Sequence, residues 1–369
     1  VLLIAAPPPP ADGDASAPPP QEVAWSMQVG TGSFHDQRSA LGLAHYVEHL
    51  FVKVANEKFP DEDEFDDFVV RNGGQNAAHT GYDFTNYRGS LPSPKALLPS
   101  LERLAERFIS STFTDSLTER EINSIHAEFV RYLVEDGWRK MAAINRELLH
   151  PDSVHNWFHV GNEQSLKAAM ADTTRSLPDL AKTFVQRFYS PNLAKLVVLS
   201  SGSSEEDLDA LEAAVRDRFE KIPNNGTKLL EGPDYREDPD LLAWAHESGS
   251  TGSPTPLPSD FARFTTPENG RVPTANLHIQ VVPTQDFHCL TFMWPIDDSQ
   301  HPSLAALADY QWESKPFDFL SGLIGHEGEG SLHSELSLRR NLVSATSAGL
   351  GSMGSYGGHP CYQLSFTLT

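Results

Sequence analysis

The sequence predicts an α+β chain folded as two domains. Runs with the period-two alternation of strands interleave with runs whose apolar residues recur at helical spacing. At 369 residues the chain exceeds the about 100 to 200 residues of a typical domain, and each part is long enough to bury a core. A stretch rich in Gly, Pro, Ser and acid, residues 224–272, divides the pattern, and Ser248-Gly-Ser-Thr-Gly-Ser-Pro-Thr-Pro256 is its loosest part. The boundaries read accordingly: a first domain over residues 1–223, a linker over 224–272 and a second domain over 273–369.

In chain order, Val1-Leu-Leu-Ile4 is an apolar, strand-like run. Pro7 to Pro10 and Pro18 to Pro20 bracket small polar residues as an extended loop. Residues 23–29 read as a strand, and Gly30-Thr-Gly-Ser33 turns the chain toward a helix over residues 41–54, with Ser39 as its cap. The acidic run from Asp61 to Asp67 lacks EF-hand spacing and reads as the solvated face of an amphipathic helix carrying Phe65, Phe68 and Val69. After Gly73-Gly74, residues 75–91 are rich in Thr, Tyr and Phe and read as a strand. Helices follow over residues 96–111, 117–134, 179–189 and 208–219, with an apolar strand over 194–200. Thr118 and Glu121 form a capping box for the second of these helices. Beyond the linker, residues 276–282 and 287–294 read as paired strands and 316–323 as a helix. The run at residues 363–369 reads as an unfinished strand. That ending, and an opening on Val1 without an initiator Met, predict an N-terminal fragment of a longer polypeptide.

The string Gly42-Leu-Ala-His-Tyr-Val-Glu-His-Leu-Phe51 contains H-x-x-E-H, a reversed zinc-peptidase signature. On a helix, about 100° per residue places His45, Glu48, His49 and Val52 on one side. Leu43, Val47, Leu50, Phe51 and Val54 fall on the other, as a core-facing stripe. The i, i+4 spacing brings two ring nitrogens to one cation, while i+3 holds a carboxylate beside it. With 15 His and 50 acidic residues, such a string arises by chance in roughly one chain in twelve, so a third ligand is needed. The helix from Leu117 supplies two candidates, since Glu121 and Glu128 are two turns apart beside Ile122, Ile125, Phe129 and Leu133. Either completes a two-His, one-Glu set with one position left for water. Glu128 is taken as the ligand. His126, on the apolar stripe, reads as a packed residue, and His150, His155 and His159 share no common face.

Several separate stretches together resemble the insulinase (pitrilysin) family of zinc metallopeptidases, most closely its insulin-degrading branch. They are His45-Tyr-Val-Glu-His49, Asn72-Gly-Gly-Gln-Asn-Ala77 with Thr80 and Thr85-Asn-Tyr87, Glu121-Ile-Asn-Ser-Ile-His-Ala-Glu128, Asp136-Gly-Trp-Arg139, Phe158-His-Val-Gly-Asn162 and Leu323-Ile-Gly-His-Glu-Gly-Glu-Gly-Ser-Leu332. The resemblance implies tandem similar domains with a mixed or antiparallel sheet packed by helices, the second domain incomplete here. It implies one zinc ion on His45, His49 and Glu128, with Glu48 as general base and Glu121 as an acidic partner. It implies substrate contacts at Asn76 and Ala77, and an exosite for a peptide's N-terminal end at Gly325, His326, Glu327 and Gly328. The implied activity is endopeptidase cleavage of peptides or small unfolded polypeptides. A C-terminal half of the same polypeptide would be the partner, supplying an arginine and a tyrosine to the substrate. Val52-Lys-Val-Ala-Asn56 departs from the family, which has a glycine shortly after the motif helix. Two alternatives stay open: a noncatalytic peptide-binding or assembly subunit, and a mitochondrial-processing-type peptidase.

Composition narrows the setting. The excess of 50 acidic over 28 basic residues, a net charge of -22, argues against nucleic acid and anionic membranes as partners. No apolar run approaches the ~20 residues that span a bilayer. Cys289 and Cys361 are too few for a disulfide scaffold and read as buried thiols in strands. An intracellular, cytoplasmic enzyme is expected, with organellar targeting and homo-oligomerisation left open.

Overall fold

Alternation is the organising pattern of the first sheet. In the computed structural model, β1 (Leu2–Ala6) is followed by β2 (Val23–Val29), whose Val23, Trp25, Met27 and Val29 are buried while the residues between them are half-exposed. The structure describes residues 1–6, 22–149, 154–171, 176–202, 204–228, 243–244, 278–296, 315–353 and 359–369. The proline-bracketed loop, His150 and most of the expected linker lie outside the described residues.

Two compact units emerge, one comprising Val1–Phe129 with Phe158–Pro256, the other Val130–Trp157 with Leu257–Thr369. In the first, β2 leads to α1 (Leu43–Lys53), α2 (Glu64–Arg71), β3 (Gln75–Thr80) and β4 (Thr85–Leu91). There follow α3 (Leu97–Ser110), α4 (Asp115–Tyr132), α5 (Asp136–Leu148), α6 (Glu163–Ala171), α7 (Leu177–Phe188), β5 (Ala194–Ser201) and α8 (Glu205–Phe219). Of these, α5 belongs to the second unit, and the division between units falls inside α4. The sheet runs β1-β5-β2-β4-β3, with β1 parallel to β5 and every other pairing antiparallel. Residues 75–91 are therefore a hairpin of two strands, interrupted at residues 81–84, and β3 is an edge of the sheet.

Helix α1 packs its apolar stripe into this unit's core. Leu43, Val47, Leu50 and Phe51 have no exposed surface and Val54 only 4%. Phe51 sits among Tyr87, Phe108 and Tyr189, with ring centroids 5.2, 4.7 and 4.9 Å away. The hydroxyls of Tyr87 and Tyr189 meet at 2.7 Å, so these two buried polar groups beside Phe51 are satisfied. Helix α2 buries Phe65 and Val69 and exposes Asp67, while Glu64 and Asp66 are half-buried. Glu64 there receives hydrogen bonds from the Arg103 guanidinium on α3.

The second unit has its own three-stranded antiparallel sheet, β6 (Cys289–Pro295), β7 (Val343–Met353) and β8 (His359–Leu368), in the order β6-β8-β7. Helix α9 (Pro316–Ile324) packs on it through Phe317, which meets Tyr362. Residues 278–282 form no strand. Their neighbourhood bonds instead to α5, with Arg139 donating to the Val282 carbonyl at 2.8 Å and the Thr284 N–H donating to Asp136 at 2.9 Å. Both cysteines are free and lie in strands; Cys361 is buried, but Cys289, at the start of edge strand β6, is exposed. The α+β class and the mixed sheet packed by helices are as the sequence predicts. Among the described residues, no helix is long and apolar enough to cross a membrane.

Phe51→Ala should destabilise the protein by about 3–5 kcal/mol, because it empties a site walled by three aromatic rings. Chemical denaturation measures this, and a loss under about 1 kcal/mol would mean that the site collapses around the gap.

Candidate metal centre

The motif helix starts where a buried carboxylate collects its free N–H groups. Asp36 follows a short 3-10 turn, Ser33–His35, and accepts from the Gly42 and Ala44 N–H groups at 2.7 Å each. Ser39, the expected cap, makes no such bond, and its hydroxyl has no partner among the described residues. The side chain that caps α1 is thus one that local spacing did not single out. Burial pushes the Asp36 carboxyl up to about 8, against the pull of the backbone donors at Ala44, Gly42 and Leu43.

From that anchored end α1 projects its three polar residues together. The carbonyl of Val160 lies 2.7 Å from His45 Nδ1. A carbonyl only accepts, so Nδ1 carries the hydrogen and the Nε2 lone pair faces away from Val160. His49 Nδ1 lies 3.2 Å from Glu121 Oε2, which leaves its Nε2 facing Glu128. Glu128 Oε2 is 3.6 Å from His45 Nε2 and 3.4 Å from His49 Nε2. One ligand atom from each of His45, His49 and Glu128 lies within 4.8 Å of the other two. The two rings stand edge to face, with centroids 4.8 Å apart and planes at 84°. Glu48, 8% exposed, accepts from Thr80 Oγ1 at 2.5 Å, which ties the motif helix to the last residue of edge strand β3.

Spacing left Glu121 and Glu128 equivalent, and their surroundings separate them. Helix α4 begins at Asp115, with Thr114 Oγ1 accepting from Leu117 N–H at 3.1 Å; the cap therefore falls earlier than the expected Thr118. Its stripe buries Ile122 and Ile125, while Leu133 lies beyond the helix and is exposed. Glu121, 1% exposed, faces the outer nitrogen of His49 and receives Lys53 Nζ on its other oxygen at 3.1 Å. Burial would raise its carboxyl, and hydrogen bonds from His49 and Lys53 overcome that and hold it low. For His49, burial disfavours the charged ring, but hydrogen bonds to Glu121 and Glu128 and the charge of Glu48 lift it to about 9.

The residues outside this cluster are placed as follows. Asn76 and Ala77 lie on β3, paired with Gly89 and Arg88, and Asn76 Nδ2 donates to Asp66 at 2.6 Å. Gly325, His326, Glu327 and Gly328 form the turn after α9 in the second unit, where the Gly328 N–H donates to His326 Nδ1 at 2.8 Å. His126 lies against Phe129 and His159 against Tyr82. Sequence reasoning missed Asp36, Lys53 and the Val160 carbonyl as neighbours of the cluster, and gave Thr80 no part beyond the resemblance.

Residues 15–152 match the family described as Insulinase (Peptidase family M16), and residues 177–368 match the Peptidase M16 inactive domain. The chain belongs to the insulinase, or M16, peptidase family. Among its relatives, the A-factor-processing enzyme of Saccharomyces cerevisiae is 30% identical over 315 residues, covering 85% of this chain and 26% of that protein. The insulin-degrading enzyme of Drosophila melanogaster is 31% identical over 313 residues, with 85% and 27% covered. This M16 chain thus spans about a quarter of the length of the curated relatives it matches. The crystal structure of pitrilysin shares the fold, with a TM-score of 0.67 at 22% identity, over 95% of this chain and 32% of that one. The first half of the periplasmic protease PqqL from Escherichia coli does so at a TM-score of 0.60 and 20% identity, covering 94% of this chain and 63% of that one.

Asp36 generates a pH prediction. Its folded value of about 8 lies above the ordinary 3.8, so its favourable contribution is full below about 3.8 and is lost as pH rises through about 8. Asp36→Asn cannot ionise. Its stability relative to the unsubstituted protein should therefore improve as pH rises from about 5 to about 8. Urea denaturation of the metal-free protein measures this, and a pH-independent difference would mean that folding does not raise the Asp36 carboxyl.

Proposed function

We propose that this chain carries the metal centre of a zinc-dependent endopeptidase acting on peptides or small unfolded polypeptides. The single observation that carries the reading is the convergence of His45 Nε2, His49 Nε2 and a Glu128 oxygen within 4.8 Å of one another. Two imidazoles and one carboxylate suit zinc, and three protein ligands leave a fourth position for water. Each imidazole already engages its Nδ1, which orients the other nitrogen toward a shared cation. The donor set and its supports fit the ion.

Held by His45, His49 and Glu128, zinc would supply Lewis acidity and would acidify a water. Glu48 would take a proton from the attacking water on its carboxylate and deliver it to the leaving amine. Thr80 holds one Glu48 oxygen, fixing the carboxylate at the end of β3. Glu121 orients His49 and is itself held by Lys53. An extended peptide would add to the free edge of β3 by main-chain hydrogen bonds near Asn76 and Ala77, which brings its scissile bond toward Glu48. Gly325 to Gly328 would receive a substrate's N-terminal end. The rest of a longer polypeptide would supply further substrate contacts, in keeping with relatives about three times as long. Two free cysteines accord with a reducing, intracellular compartment.

The noncatalytic reading draws on the match of residues 177–368 to an inactive domain. The complete set of two histidines, base and third ligand within residues 15–152 favours the enzyme.

Glu48→Gln should retain stoichiometric zinc in the full-length protein and lose peptide cleavage by 100-fold or more, on the order expected for a removed general base. Undiminished turnover would refute the role. Replacing His45, His49 or Glu128 with Ala should cut bound zinc sharply by atomic absorption; any one that leaves metal content unchanged is not a ligand.

A further inference from the structure

The stretch Phe158-His-Val-Gly-Asn162 enters the reading above only through the Val160 carbonyl, yet its backbone touches the metal helix at two points. The first is the Val160 carbonyl, 2.7 Å from His45 Nδ1. The second is a backbone-to-backbone contact between Gly161 and Gly42, the residue that starts α1. A Cβ on Gly42 would lie 2.3 Å from the Gly161 Cα, and one on Gly161 would lie 3.0 Å from the Gly42 Cα. Both glycines have left-handed backbones, with φ of +91° and +72°.

The contact is fastened from behind. Asn162 caps α6, its side chain accepting from the Ser165 N–H at 2.8 Å. Ser165 Oγ in turn donates to the Leu41 carbonyl at 3.0 Å, on the residue just before Gly42. The first turn of α6 is therefore tied to the residues that precede α1, and α6 is itself held in the core by Leu166 and Ala169.

We infer that the turn over residues 160–162 is a positioning clamp for His45: the Gly42–Gly161 contact sets the depth at which the Val160 carbonyl holds Nδ1–H, so that Nε2 is the nitrogen offered to the metal. This rests on the metallopeptidase reading and adds to it two positioning residues, Gly42 and Gly161, neither of which touches metal or substrate. A side chain at either position pushes the turn outward and loosens the hydrogen bond, leaving His45 free to change tautomer or rotate.

The test uses the full chain and zinc alone as probe. Gly161→Ala must displace its neighbour by only a few tenths of an ångström. It should weaken zinc binding about 10- to 100-fold in chelator competition, the usual effect of losing a partner to a ligand histidine. Gly226→Ala is the control, because Gly226 has φ +68° and nothing within 4 Å of a Cβ. It carries the same backbone strain without the contact and should bind zinc as the unsubstituted protein does. Equal zinc affinity in Gly161→Ala and the control overturns the clamp. If Gly161→Ala does not fold, histidine-labelled 1H–15N spectra of the unsubstituted protein decide the matter. A protected Nδ1–H on His45, with and without zinc, supports the clamp; a protonated Nε2 or a metal-bound Nδ1 overturns it. An unsubstituted protein that binds no zinc defeats the peptidase reading instead, while the metal-free spectrum still reports on the Val160 bond.

Discussion

A neutral imidazole has one lone pair, and the partner of its other nitrogen decides which atom carries it. The candidate centre depends on that constraint being met twice on one helix. His45 gives its Nδ1–H to a carbonyl 115 positions away in sequence, and His49 turns its Nδ1 to an acid 72 positions away. With both outer nitrogens engaged, the inner pair meets Glu128. Helical spacing supplies the separation of the rings, but their orientation comes from α4 and from the turn before α6. The five-stranded sheet and its core matter to function chiefly because they hold these three pieces of chain in register.

The charges around the cluster follow from the same geometry. Glu48, Glu121 and Glu128 bring three carboxylates into one small volume, two of them with less than a tenth of their surface exposed. Without a metal, His49 and Lys53 are the positive groups that answer them, and the ring of His49 is driven to about 9.

What was legible in the sequence was local. The i, i+3, i+4 pattern gave the polar face of α1, and the alternation in residues 23–29 gave β2. The seven-residue interval put Glu121 and Glu128 on one side of α4. That interval does not say which nitrogen each acid meets, because this depends on how α4 docks against α1. Caps failed for a related reason. Ser39 and Thr118 suit the local rule, but a buried Asp36 and an earlier Thr114 reach the free N–H groups first. Residues 278–282 look strand-like by composition, yet the Val282 carbonyl accepts from Arg139 and the nearby Thr284 N–H donates to Asp136. Thr80, Lys53 and Val160 were invisible as contacts because each meets its partner only after the chain has folded back on itself.

Both acids of α4 hang from one unbroken stretch of helix, and this makes the interval between them tolerant in one respect and rigid in another. Ser124 and Ala127 lie there with exposed or half-exposed side chains, where changes of residue type are cheap. A change of length is different in kind: one residue gained or lost between Glu121 and Glu128 rotates everything beyond it by about 100°. Either acid could then keep its appointment with the histidines only at the expense of the other, so this segment can drift in composition but not in count.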